Sequence, residues 1–262
     1  MVEYAVVCLV ALCVSGLALF SGFGLGTLLM PAFALFFPVP TAIAATAVIH
    51  LGNNLFAAVL VGRRSSWPVV AAFALPAAAA AFAGAALLTV FAGMPPVWSY
   101  RLGERTHEIA LIGLVIGALI VGFAIFDLLP RFNKLTFNRR YLPLGGILSG
   151  FFGGLSGLQG ALRSAFLIKA GLDKDAFIGT STVSSVIVDA ARLLVYGLSF
   201  YAGGLGRIAP EMPRLIFAAT LAAFAGSFLG ARLMKRVTLG AVRIMVGVML
   251  IVVGAGIACG LI

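Results

Sequence analysis

Long apolar runs separated by short polar junctions fill the whole chain. They cover approximately Tyr4–Phe37, Ala42–Val61, Trp67–Ala92, Ile109–Leu129, Leu142–Ile168, Ala176–Phe200, Leu215–Met234 and Leu239–Ile262. A helix needs about 20 apolar residues to cross a bilayer, so most of these runs predict spans. Two of them are punctuated by glycine, at Gly22-Phe-Gly-Leu-Gly26 and across Gly150–Gly160. Unwound backbone at membrane depth is tolerated only where it is buried in protein or lines a cavity. The pattern predicts an all-α polytopic membrane protein with about 8–10 membrane helices.

The two breaks occupy matching places. Sliding the chain by about 135 residues lays Ser21-Gly22 on Ser156-Gly157, Ile43 on Ile178, Thr46 on Ser181, Val48 on Val183 and Arg101 on Arg236. The chain therefore reads as two repeats, 1–130 and 142–262, joined by a basic loop at 131–141, each a broken helix followed by three spans. Leu142–Phe152 and Ala161–Lys169, if helical, are about 16 and 13 Å long, each half of a bilayer core. The second break thus suits a re-entrant hairpin. Glu3–Phe20 is long enough to cross fully, and at the first break a hairpin and two crossings give the same loop sidedness.

Charge decides orientation. If each broken segment crossed once, the basic residues would divide evenly between the two faces. If each returns to the side it entered from, Arg63, Arg64, Arg131, Lys134, Arg139, Arg140, Lys169, Lys174, Arg232, Lys235, Arg236 and Arg243 share one face. Only Arg101, Arg105, Arg207 and Arg214 then lie opposite. That asymmetry is what marks a cytoplasmic face, and it predicts inverted repeats with both termini non-cytoplasmic. The formal charge of +10 accordingly reads as loop sidedness and not as a nucleic-acid signal. Composition agrees: 62% of residues are hydrophobic and 10% charged, with a mean hydropathy of +1.16. Glu3, with no Lys or Arg near it, predicts a retained first segment and not a cleaved signal peptide. Cys8, Cys13 and Cys259 lie in apolar runs, which predicts packing thiols and no disulfide framework.

Few polar residues interrupt the runs, and they gather in the spans after the two breaks. The first of these spans carries His50, Asn53 and Asn54. Its repeat partner carries Thr180, Ser181, Thr182, Ser184, Ser185, Asp189 and Arg192. The same displacement lays His50 on Ser185 and Asn54 on Asp189, and each i,i+4 pair shares one helix face. Arg163 follows the second break, where a half-helix would begin, far from either surface. A charge at that depth is costly and seldom faces lipid. Its planar donor fork suits an oxyanion, and the N–H groups at a half-helix start would add to it. Two readings stand: an anion receptor, or a structural pair with Asp189. Asp189 is either a proton-coupling group or the partner of Arg192 at i,i+3. His50 is either a proton relay or a satisfied interior histidine. Gln159 is expected to face the cavity, and Asn53, Asn54 and the hydroxyls either bind solute or join helices. Glu104, His107 and Glu108 have helical metal-ligand spacing, but a solvated loop is the simpler expectation. No Walker loop, zinc-protease helix or nucleophile elbow is present. Gly226 and Gly230 suit either homodimerisation or internal packing.

These residues resemble the sulfite exporter TauE/SafE family of membrane permeases, which has a glycine-rich break opening each half. The first copy here is Gly22-Phe-Gly-Leu-Gly26-Thr-Leu-Leu-Met-Pro31; the second, Gly150–Ala161, has Gln159 and Ala161 where glycine is common. The resemblance spans essentially the whole chain. It implies a secondary transporter of a small sulfur anion in the bacterial inner membrane, without a cofactor and not an enzyme. The expected substrate site is Gly22, Gly24, Gly26, His50, Asn53, Asn54, Gly157, Gln159, Gly160, Arg163, Ser181 and Ser185, with Asp189 coupling transport to protons. A passive anion channel, or a membrane subunit or enzyme of other chemistry, is the alternative.

Overall fold

The computed structural model describes residues 1–21, 25–129, 136–203, 210–233 and 239–262; side chains within 17–21, 230–233, 239–243 and at 245 are not included. The described helices are α1 (Val2–Ser21), α2 (Leu25–Ala34), α3 (Val39–Val61), α4 (Trp67–Ala92), α5 (Leu111–Leu128), α6 (Leu142–Ser156), α7 (Gly160–Leu167), α8 (Lys174–Tyr201), α9 (Met212–Leu233) and α10 (Leu239–Ala258). Five of the described helical stretches, spanning α3, α4, α5, α8 and most of α9, are long and apolar enough to cross a bilayer. Local chemistry sets several starts. Prolines occupy the first turn of α3, α4 and α6, where a missing N–H costs nothing. Asp173 caps α8 by accepting from the Ala176 N–H at 2.8 Å. Large apolar side chains such as Val59, Leu75, Leu194, Phe217 and Val252 remain exposed, as lipid-facing residues do.

Neighbouring contacts fix the direction of each helix. α4 and α6 run parallel: Gly146, Gly150 and Gly154 face the backbone of Phe73, Ala77 and Ala81 in step. α1 and α9 also run parallel, with Tyr4 beside Glu211 and Leu12 beside Gly226. α3 and α8 are antiparallel, with Val61 against Gly179 and His50 against Asp189. α5 and α10 are antiparallel too, with Gly113 on Ile257 and Gly117 on Gly254. Gly226 therefore serves internal packing of α9 on α1.

Several glycines read as helix breakers are instead surfaces for close approach. A Cβ on Gly150 or Gly154 would overlap backbone atoms of Ala77 or Ala81. Small residues let membrane helices touch backbone to backbone, and van der Waals contact replaces the hydrophobic effect there. α6 consequently continues to Ser156, four residues past the expected Phe152. We expect Gly150→Val to destabilise the detergent-solubilised protein by about 1–3 kcal/mol through overpacking. Gly122, where an added Cβ would meet nothing within 4 Å, is the control: Gly122→Ala should leave the thermal midpoint in place. Equal midpoints for both variants would contradict this packing.

One stretch differs from expectation. Trp98–Leu102 and Arg105–Ile109 form an antiparallel hairpin, β1 and β2, pairing Tyr100 with His107 and Leu102 with Arg105. Gly103 turns it at φ 62°. Tyr100 donates to the Cys259 carbonyl at 2.8 Å, and Nδ1 of His107 lies 3.0 Å from the Gly260 carbonyl oxygen. The hairpin thus covers the end of α10. Helical spacing of Glu104, His107 and Glu108 does not apply on a strand, and no cluster of three metal-ligating side chains occurs among the described residues.

Candidate functional site

The second break is a tight reversal. α6 ends at Ser156, Gly157 takes the left-handed conformation at φ 81°, and α7 begins at Gly160. That conformation is strained for any residue with a Cβ. α7 folds back along α6: Ser149 donates to the Gln159 carbonyl at 3.0 Å, and Gly145 leaves room for the Phe166 ring. Beyond α7 the chain returns to where α6 started, since Phe137 stacks on Phe166 with centroids 4.2 Å apart. At the first break α1 stops at Ser21 and α2 starts at Leu25; Gly22 and Gly24 lie outside the described residues. Gly26 lies in α2, where a Cβ would stand 3.1 Å from the Gly157 carbonyl oxygen. The two breaks therefore meet.

Asp189 is fully buried beside this meeting point and accepts from four side chains. Its Oδ1 receives Nη2 of Arg192 at 2.7 Å, Nε of Arg192 at 3.0 Å and Nε2 of Gln159 at 3.0 Å. Its Oδ2 receives Nδ1 of His50 at 2.6 Å and Nδ2 of Asn54 at 3.0 Å. A carboxylate so close orders the imidazole with its Nδ1 proton toward the acid. The 3.0 Å approach of Asn54 to the same nitrogen is then a contact between two donors sharing one acceptor. Asn54 and Asp189 are 135 positions apart. Positions equated by the 135-residue displacement thus touch each other.

Arg192 and Tyr196 finish the far side. Arg192 donates through Nη1 to the Gly153 carbonyl at 3.2 Å, and the Tyr196 hydroxyl donates to that of Gly154. The last carbonyls of a helix lack partners within it and carry partial negative charge. Here a buried phenol serves the Gly154 carbonyl, and the guanidinium is a second donor to Gly153, which also accepts from the Gly157 N–H at 2.9 Å. Arg192 and Tyr196 continue the Ser185–Asp189 face of α8 by three and seven residues from Asp189. Arg192 is the expected partner of Asp189; the continued stripe is the signal in the sequence that would have picked out Tyr196 as well.

Arg163 behaves differently. Its Nε donates to Ser181 at 2.8 Å, and its Nη1 is buried with no hydrogen-bond partner among the described residues. The residue is 9% exposed. Asp189 spends Oδ1 on Arg192 and Gln159 and Oδ2 on His50 and Asn54, so the expected alternative of an Arg163–Asp189 ion pair is not formed in this conformation. Gln159 Oε1, Thr46 Oγ1 and Ser184 Oγ are likewise buried and unpartnered. Buried polar groups are normally paired, so four such atoms on the elements around the breaks mark a place for a polar guest or water. Among the described residues, the buried charges near the breaks are two guanidinium groups against one carboxylate, a surplus of one positive charge.

The remaining expected residues divide clearly. Ser181 holds Arg163, while Ser185 donates to the backbone of its own helix at Ser181. Asn53 turns away to α9, accepting from Ser227 at 2.9 Å, and so joins two helices. Gly160 opens α7. A largely apolar cavity of about 920 Å³ lies between α3, α8 and α9, with Thr41, Tyr196, Tyr201 and Met212 in its wall. It reaches the Asp189 network through Tyr196.

The family described as Sulfite exporter TauE/SafE matches residues 7–257. The chain belongs to this family. TauE/SafE proteins are membrane transporters, and the multi-pass helical fold is of that kind. No curated protein matches the chain.

Proposed function

We propose that this TauE/SafE member is a secondary transporter of a small anion, a sulfur oxyanion or organosulfonate, held at the junction of the two breaks. The observation that carries the reading is the buried Nη1 of Arg163, a cationic donor without a partner among the described residues, on the short helix α7 that follows the second break. A lone charge there is expensive and marks a solute path by default. The first N–H groups of α7 and the side chains of Gln159 and Ser181 would complete the oxyanion seat. The fit is to an anion because the buried constellation is one positive charge in excess.

Inverted repeats support alternating access. The counterpart helices α3 and α8 run antiparallel, as do α5 and α10, and repeat-equivalent positions touch at Asn54–Asp189. On this reading residues 1–130 and 142–262 rock against each other about the breaks. Along α8, Ser181 lies about 12 Å below Asp189. The apolar cavity begins on the other side, at Leu193 and Tyr196. The Asp189–Arg192 network then stands between a vestibule and the Arg163 seat, as a gate would. The charge bias supports cytoplasmic junctions at Arg63 and Arg140 and outward-facing termini, in a cell inner membrane.

Proteoliposomes test this. Labelled sulfite or a short sulfonate should enter saturably, and an imposed pH gradient should accelerate entry. Saturable flux indifferent to that gradient would remove proton coupling, and non-saturable flux would favour a passive channel.

A further inference from the structure

The anion reading leaves the charge of the solute open, and the buried groups restrict it. Arg163 and Arg192 contribute two positive charges and Asp189 one negative charge. Among the described residues, the only other side chain hydrogen-bonded to Asp189 that can gain a positive charge by taking up a proton is His50, itself 4% exposed. With neutral imidazole the constellation carries one positive charge and matches a monoanion. With imidazolium it carries two and matches a dianion. Each uncompensated charge at this depth is strongly disfavoured, so the solute's charge and the imidazole's proton should be linked.

His50 is positioned for this and Asp189 is not. Asp189 already accepts from four side chains, including both Nε and Nη2 of Arg192. Adding a proton would remove an acceptor and leave Arg192 buried without its counter-ion. His50 holds Asp189 through Nδ1 at 2.6 Å from Oδ2, so adding a proton to the ring strengthens its contact with the acid. Other charges are remote or absent around it. On α8 it faces Asp189, with Arg192 behind. Neither α2 nor α4 carries a titratable side chain, and the α9 residues beside this part of α3 are Thr220, Phe224 and Ser227. Arg214 lies at the exposed start of α9, and Asp127 and Arg63 sit toward the opposite end of the bundle.

We propose that His50 is the proton-carrying residue that sets solute charge: a dianion is bound together with one proton on His50, and a monoanion is bound without it. This rests on the anion site proposed above. On this proposal the proton is taken up by the imidazole as the dianion enters and is given back to water when the dianion leaves.

Two probes of fixed charge separate the cases in purified protein. Between about pH 5.5 and 8.5, the window where histidine titrates, the affinity for sulfate should fall with rising pH. Its limiting slope should be about tenfold per pH unit, the signature of one linked proton. The affinity for methanesulfonate should stay flat or rise slightly. Mixing weakly buffered protein with sulfate near the alkaline end should take up close to one proton per site, and methanesulfonate none. His50→Gln should flatten the sulfate slope. Identical pH profiles for the two anions, or a sulfate slope that survives in His50→Gln, would overturn the assignment while leaving the anion site intact. Should the variant not fold, the proton-uptake measurement on the unaltered protein decides alone: no uptake with sulfate overturns the assignment. If neither anion binds at any pH, the anion site itself fails.

Discussion

Arg163→Ala should abolish anion-dependent thermal stabilisation and lower anion affinity by roughly 30-fold to several thousand-fold. The range corresponds to about 2–5 kcal/mol for truncating one partner of a buried, hydrogen-bonded charge pair. The argument is local. The guanidinium has one protein hydrogen bond among the described residues, to Ser181, and a buried Nη1 without a partner there. Removing it from the empty protein relieves an unsatisfied donor, so the empty variant should be as stable as the parent or more so. Loss of the ligand response without loss of the basal midpoint distinguishes a receptor from a structural cation. Arg163→Lys should recover only part of the affinity, because a point charge lacks the planar fork. A thermal shift with sulfite, thiosulfate or a sulfonate that is unchanged in Arg163→Ala would place the anion elsewhere.

The opposite behaviour is expected at Asp189. Asp189→Leu should cost about 3–5 kcal/mol of stability, because Arg192 would remain fully buried without its counter-ion. The double variant Asp189→Leu/Arg192→Leu should regain a large part of that loss, since replacing a buried pair by apolar groups is often close to neutral. It should still fall short of the parent, because the Gly153 carbonyl loses a donor and His50, Asn54 and Gln159 lose their acceptor. Thermal midpoints of the three proteins measure this directly. A double variant less stable than Asp189→Leu would show that Arg192 acts mainly through Gly153 and not through the acid.

Much of the architecture was readable from hydropathy because lipid leaves only helices as the solution for an apolar run. Segment ends such as Trp67, Ala92, Leu142 and Leu239 coincide with helix ends. The hairpin at Trp98–Ile109 was missed because its ten strand residues are polar enough to resemble a loop. The alternation in Trp98–Leu102 and the Gly103-Glu104 turn were its only marks. Glycine was ambiguous for a physical reason. The same absent Cβ permits a left-handed turn at Gly157 and a backbone contact at Gly150, and only a neighbouring helix decides which. At the site, the shared faces of His50–Asn54 and Ser185–Asp189 were legible from spacing. Which acceptor Asn53 would find, and whether Asp189 would choose Arg163 or Arg192, depended on tertiary placement that spacing does not encode.

The contact between Asn54 and Asp189 bears on how such a protein comes to exist. Two identical half-length chains assembled head to tail would set each residue of this position against its own copy. Aspartate facing aspartate would force one to stay neutral, and asparagine facing asparagine would offer no anchor for a buried guanidinium. If the two halves are repeats as proposed, a single polypeptide lets the two positions differ, so that amide meets acid where they touch. An amide–acid pair of this kind is one that a true homodimer of half-length chains could not place on its own axis.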